Sequence, residues 1–355
     1  RYYDLFQKYS TLLKYLSIED YYSALFAMAI AAYACNDRNM IFKCKNSLEQ
    51  CLNEQNNAEI EIKKKVQLIH VDILIDSLDN KYDSIISKCE KVIKRLECFS
   101  EKEDILDMIY VFLRSTCISQ EYLFQWEGAF QTVQKALALF KKFNTSEYDP
   151  QYCFFRLHLG VCFLIQGETD SAYAIFDDII NGKHCKYMDI IHIANIGMSD
   201  IALIDQRYED CCEICRELIE QIPEEEENFW ILSWCYINYL SAATILETEF
   251  RREYKEIYDK LLKMQLKIKA NDRLQILAKL VYKKYLFQIN LYDFNGVEEI
   301  LKETKSYLMK VPNDGVIREH LNKLQWLVDQ RQQAENTKKT DKLSFLRKLI
   351  MKNRF

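Results

Sequence analysis

Cys211, Cys212 and Cys215 are the residues whose types and spacing most directly suggest chemistry. Cys212 and Cys215 stand as the two thiols of a zinc half-site do, and two thiolates from a second pair would complete a tetrahedron. No second pair at matching spacing follows. Cys211 and Cys215 also fall one helical turn apart, where a packed helix needs small or apolar side chains, so the three read as core thiols and no metal site is expected. His184, Cys185 and His192 belong to a different hairpin edge. The carboxylate run Glu224 to Glu227 follows Pro223 and precedes a helix opening near Asn228, where the helix dipole favours negative charge. It reads as a solvated loop, with a metal or basic-partner site as the sharper alternative.

Catalytic constellations are missing. Five histidines are scattered at 70, 158, 184, 192 and 320, and no serine or cysteine makes a nucleophile motif with them. Seven glycines, all isolated, form no phosphate-cradling loop or dinucleotide fingerprint. The chain therefore reads as a non-enzyme without a cofactor. A net charge of −5 and a pI near 5.8 give no global reason to bind nucleic acid. Only the tail from Arg331 is strongly basic, and it reads first as a solvated cap. A third kind of chemistry, backbone recognition, fits better. Arg114, Asn195, Asp200, Asn238, Tyr239, Tyr282 and Asn290 fall near one face of successive helices, together with Tyr33 and His70. An asparagine amide donates to a peptide carbonyl and accepts from a peptide N–H at once, so a ladder of them holds an extended backbone without reading its side chains.

These residues must be positioned by helices. In 355 residues there are 7 Gly and 3 Pro, where average usage gives about 25 and about 18. Turns are therefore few, and the fold class is all-α. Apolar residues make up 49% and aromatics 13%, enough for a continuous core. Thirteen cysteines in a long helical chain read as reduced, buried thiols, which implies a cytoplasmic setting. The most apolar stretch, Ser23 to Cys35, is shorter than the ~20 residues a bilayer span needs, so no membrane partner is expected.

The clearest unit runs from Asp149 to Gly182. Leu159-Gly160 and Phe163 lie on its first helix, Gly167 to Asp170 form the break, and Ala172, Phe176 and Ile179 lie on its second. This is the tetratricopeptide (TPR) pattern: the glycine lets the helices approach, the aromatics fill the angle between them, and Ala172 sits where the axes come nearest. Cys44, Ile85, Ala129, Ala172, Cys211, Tyr254 and Val297 mark the equivalent position in seven units, at steps of 39 to 44 residues. Tyr82, Trp126, Tyr208 and Phe294 each stand three residues before that position, in segments that resemble the turn of a TPR hairpin. Pro150, Pro223 and Pro312 all follow second helices, where a helix cannot continue through proline. The first and sixth units match least well.

At the ends, Tyr2 to Leu13 reads as an amphipathic helix on the first unit, and Val316 to Gln330 as a further helix with Ile317, Leu321, Leu324 and Val328 on one face. Residues 1–331 are thus expected to be a right-handed superhelix of about seven TPR-like hairpins. Residues 332–355 are expected to be a basic loop and a C-terminal capping helix carrying Leu343, Leu346 and Ile350.

Seven hairpins of about 40 residues, a leading helix and a terminal cap resemble the sensor region of the peptide-pheromone receptors of Gram-positive bacteria, the RRNPP family of Rap, Rgg, NprR and PlcR groups. That resemblance implies a short signalling peptide in the concave groove, held partly by asparagines, with Asn195 and Asn238 the matching positions. It implies the sensing part of a transcriptional regulator, in which DNA is contacted only through a separate domain. Arg1 in place of Met fits removal of such a domain, while a three-helix phosphatase bundle like that of the Rap group is not evident. Two other classes stay open: a constitutive protein–protein scaffold, and the sensor end of a larger signalling protein. A homodimer is compatible with the exposed edges of such an array.

Overall fold

The computed structural model describes residues 15–35, 37–53, 58–99, 103–143, 149–225, 228–243, 246, 256–257, 259–261, 272–288, 294–312, 314–315 and 317–333. Every regular element among them is helical. In chain order these are α1 Ile18–Ala34, α2 Arg38–Asn53, α3 Ala58–Leu78, α4 Tyr82–Leu96, α5 Glu103–Tyr122, α6 Trp126–Phe143, α7 Pro150–Gln166, α8 Thr169–Asn181, α9 Met188–Ile204, α10 Tyr208–Gln221, α11 Phe229–Ala243, α12 Asp272–Gln288 and α13 Phe294–Lys310. A last helix, α14, covers 317–333. The chain divides into two compact units, Arg1–Leu139 and Phe140–Phe355. The expected leading helix at residues 2–13 and the cap at 343–351 lie outside the described residues.

Hairpins form where the sequence places them. The register residues Cys44, Ile85, Ala129, Ala172, Cys211 and Val297 are all buried, each on the second helix of its pair. Tyr254 is outside the described residues. Four hairpin tips share one construction. Asn80, Phe124, Gly167 and Gln206 adopt positive φ two residues before the second helix begins. In each, the following N–H bonds back five residues: Lys81 to the Asp76 carbonyl, Gln125 to Gln120, Glu168 to Phe163 and Arg207 to Ala202, at 2.8 to 2.9 Å. A second bond one residue inside completes the left-handed cap that satisfies the first helix's last carbonyls. The aromatics Tyr82, Trp126, Tyr208 and Phe294 then open the second helices.

In the first unit, α1 begins at Ser17, whose hydroxyl accepts from the Asp20 N–H. Its apolar face packs through Tyr22, Leu25 and Ala29 onto Ile41, Cys44 and Leu48 of α2 and Val71 of α3. Tyr22 Oη donates to the Lys64 carbonyl at 2.6 Å, which ties α1 to α3.

In the second unit, Asp149 caps α7 by accepting from the Gln151 N–H at 2.7 Å, and Pro150 opens the helix, where its missing N–H costs nothing. Phe176 of α8 is gripped from both sides. A Cβ on Gly160 of α7 would stand 2.5 Å from Phe176 Cε1, and a Cβ on Gly197 of α9 would collide with Cε2 at the opposite edge. The glycine role expected for Gly160 is therefore shared by Gly197, one hairpin on. Around this ring Leu157, Ala172, Ile179, Ala194 and Ile201 complete a buried cluster.

The helix expected at 316–330 is α14, with Ile317, Leu321, Leu324 and Val328 buried as the periodicity predicts. In a linear repeat array each element touches only its sequence neighbours. Here α14 reaches the tip of the α9–α10 hairpin, 115 residues earlier: Lys323 Nζ donates to Tyr208 Oη at 2.6 Å, and a Cβ on Gly315 would lie 3.2 Å from Ile204 Cδ1.

Candidate functional site

The candidate residues lie on first helices. Arg114 is an exposed residue of α5 in the first unit. Asn195 and Asp200 lie on α9, Asn238 and Tyr239 on α11 and Tyr282 on α12, all in the second unit. Asn290 lies outside the described residues.

Asp200 and Asn238 meet. Both are buried, at 2% and 0% exposure, and Asn238 Nδ2 donates to Asp200 Oδ1 at 2.7 Å and to Ser199 Oγ at 2.8 Å. Asp200 Oδ1 also accepts from Trp234 Nε1 at 3.2 Å, and Ser199 Oγ donates to the Ile196 carbonyl. A buried carboxylate must be hydrogen-bonded, and the Asn238 amide and the Trp234 indole supply that from one face of α11. Asn238 was expected on an open ladder; it is instead sealed inside the packing of α9 against α11. The side-chain oxygen Oδ1 of Asn238 and the Ser233 hydroxyl, both buried, find no hydrogen-bond partner among the described residues.

Of the other candidates of this unit, Asn195 and Tyr282 sit nearer the surface. Asn195 is half-buried and its Nδ2 donates to the Ile191 carbonyl one turn back, at 3.0 Å. Tyr239 is buried, and its hydroxyl bonds to Arg216, which raises the pKa of that guanidinium. Tyr282 is half-buried, with the Lys283 ammonium 5.7 Å from its ring centroid. The arrangement can offer amides, phenols and ammonium groups to a polar chain.

The three cysteines that suggested zinc are core residues. Cys211 Sγ donates to the Asn238 carbonyl at 3.6 Å, and Cys211 and Cys215 are fully buried. Burial pushes the Cys212 thiol up to about 12, and contact with Cys215 together with burial raises Cys211, so the thiol forms are favoured over thiolates. Glu224 pairs with Lys260 at 2.9 Å on the surface; Glu226 and Glu227, and the basic tail beyond residue 333, lie outside the described residues.

Several site residues were not found from the sequence. Ser199 and Trp234 complete the Asp200 network, and Lys284 on α12 and His320 on α14 are buried at 4% and 3% exposure. Lys284 did leave a signal. It continues the apolar stripe of Leu277, Leu280 and Val281 at helical spacing, so a lysine occupies a core position.

No family profile matches the chain, and no curated protein matches it in sequence. Among solved structures, a Rap protein crystallised in complex with competence and sporulation factor superimposes with a TM-score of 0.51. The match covers 90% of this chain and 99% of that one, at 10% sequence identity. The TPR domain of P58(IPK) aligns over 88% of this chain and 81% of its own at 12% identity, with a TM-score of only 0.26. The chain has an all-α, TPR-like helical-repeat fold resembling that of the Rap protein. No helix among the described residues is long and apolar enough to cross a membrane.

Proposed function

We propose that the chain is the peptide-sensing array of a bacterial quorum-sensing regulator, binding a short peptide along the first helices of its second unit. The observation that carries this reading is the likeness to the Rap protein over nearly the whole of both chains, that protein having been solved with competence and sporulation factor. Half-buried polar side chains support it: Asn195 on α9 and Tyr282 on α12 both lie on first helices of the second unit, while Asp200, Asn238 and Tyr239, buried on α9 and α11, are proposed to set the spacing of those helices. Asn290 is a further proposed contact of that unit, and Arg114 a proposed contact on the first unit. DNA would be contacted only through a separate domain, and the cysteines, all reduced, fit a cytoplasmic protein.

The test is retention of short peptides from a synthetic pool by the purified chain, read by mass spectrometry, with small-angle scattering to follow compaction. Asn195→Ala is the informative variant, because its side chain bonds only locally and its loss leaves the fold intact. A retained peptide whose affinity falls in Asn195→Ala supports the reading. No retained peptide and an unchanged scattering profile would move the assignment to a constitutive protein–protein scaffold. One observation favours that second reading: Asn238 Nδ2 already bonds to Asp200 inside the packing of α9 against α11, so this part of the array is preorganised without a ligand.

A further inference from the structure

Contacts in the second unit follow chain order: α9 packs on α11, α11 on α12 and α12 on α13. A series of this kind is open at its end, and an open array frays from its last element inward. Helix α14 departs from that order. It leaves α13 through Asp314, which is fully buried and accepts at one carboxylate oxygen from the Tyr307 hydroxyl of α13, at 2.9 Å. The other oxygen accepts from the Ile317 N–H at the start of α14, so one side chain ties the two helices at their junction.

From there α14 meets the α9–α10 tip through two contacts. Gly315 lies against Ile204 at the end of α9, where a Cβ would stand 3.2 Å from Cδ1. Two turns further on, Lys323 Nζ donates to Tyr208 Oη at 2.6 Å. Glu319, one turn before it, pairs with the same ammonium at 2.8 Å and holds the lysine in reach. Tyr208 is the first residue of α10 and follows the left-handed turn at Gln206, so this bond grips the point where the hairpin reverses. The contacts thus form a closed ring, from α9 through α11, α12, α13 and α14 back to the α9–α10 tip.

In an open array one hairpin can be reset against the next while the rest stay as they are. In a ring no spacing changes unless the closing contact yields. The buried face of Ile317, Leu321, Leu324 and Val328 keeps α14 on the unit, but apolar packing is non-directional; the Lys323 bond decides where on the unit it sits. With Lys323 and Glu319 side chains 27% and 29% exposed, that bond is reached by water and yields before the core does.

We infer that α14 is a strap, with Lys323 on Tyr208 as its clasp, that locks the spacing of α9, α11 and α12 while fastened and frees it on opening. By linkage, whatever binds those helices at another spacing also loosens the strap. The inference goes beyond the peptide-binding reading and stands without it, because the lock belongs to the ligand-free chain.

Amide hydrogen exchange of the whole ligand-free chain, resolved by peptic fragments and mass spectrometry, tests it. A fastened strap gives one level of protection across α9 to α14, since they open together, whereas an open array gives protection that falls step by step toward α14. In Lys323→Met and in Tyr208→Phe the level profile should turn into a descending one. Exchange in α13 and α14 should quicken roughly five- to thirtyfold, the equilibrium weight of one partly exposed charge-assisted bond. The double variant should be no worse than the more damaging single one, because both lose the same contact, and Lys323→Arg, which keeps a donor, should retain most of the level profile. Should a variant not fold, the profile of the unaltered chain decides alone. A descending profile in the unaltered chain, changes confined to one turn around residues 208 and 323, or additive losses in the double variant would each overturn the strap. Peptide retention is measured apart from this, so a peptide bound by a chain with a descending profile sinks the strap and leaves the peptide-binding reading standing.

Discussion

Asn238 Nδ2 lies 2.7 Å from Asp200 Oδ1, so two successive first helices, α11 and α9, are joined through an amide–carboxylate bond with no access to water. The same amide group reaches Ser199, and Trp234 one turn earlier on α11 donates to the same carboxylate oxygen. The network fixes how one hairpin is set against the next, which is the quantity a helical array would have to alter in responding to a ligand.

Asn238→Ala should destabilise the chain by about 2–4 kcal/mol, because it strips a donor from a buried carboxylate and returns nothing. Asn238→Asp should be worse, since it sets two carboxylates against each other. Asn195→Ala, which removes only a bond to its own helix, should cost no more than about 0.5 kcal/mol. Urea unfolding of the three variants checks this ordering, and an Asn238→Ala chain as stable as Asn195→Ala would show that the network does not hold the hairpins.

Gly197→Ala should cost about 1–3 kcal/mol, as overpacking does, because the new methyl meets the Phe176 ring edge. Combining it with Phe176→Leu should return part of that loss, since the ring is the obstacle. Gly160→Ala should behave alike from the other side. Thermal melts followed by circular dichroism give the test, and additive losses in the double variant would refute the contact.

How much of this was legible beforehand depended on sequence distance. The small residues Cys44, Ala129, Ala172 and Cys211 are visible because a hairpin repeats its tightest point at a near-constant step, and every described one is buried. The aromatic openers Tyr82, Trp126 and Tyr208 are visible for the same reason. The Asp200–Asn238 bond spans 38 residues and the Lys323–Tyr208 bond 115, and no periodicity records such pairings. Asn238 was therefore placed on the correct helix but on an open face. Gly197 was passed over because the repeat was registered on second helices, whereas its partner ring belongs to the preceding hairpin.

His70 of α3 sits between the rings of Phe26 and Phe112, at 5.6 and 6.0 Å, and burial lowers its pKa to about 4. In the unfolded chain it takes up a proton near 6.5. Between these values the unfolded state holds more protons, so stability rises with pH across that window and is lost as pH falls from about 6.5 to about 4. Chemical denaturation at stepped pH should show this slope, and His70→Phe should flatten it. An unchanged slope in that variant would assign the acid sensitivity to other groups.

Gln206 is exposed and holds φ at 62°, a conformation in which an L side chain crowds the following carbonyl. The equivalent tip position in the preceding hairpin is Gly167, at φ 83°, with open space around it. Gln206→Gly therefore removes strain while keeping the two bonds of the left-handed cap, Arg207 N–H to Ala202 and Gln206 N–H to Leu203. The gain is offset in part by the greater freedom glycine gives the unfolded chain. A net stabilisation of about 0.5–1 kcal/mol is expected, read as a raised melting temperature. Gln206→Val should do the reverse, because a β-branched residue tolerates positive φ least. If both variants lower the melting temperature equally, the glutamine side chain itself is contributing to the tip, and the strain argument for these hairpins fails.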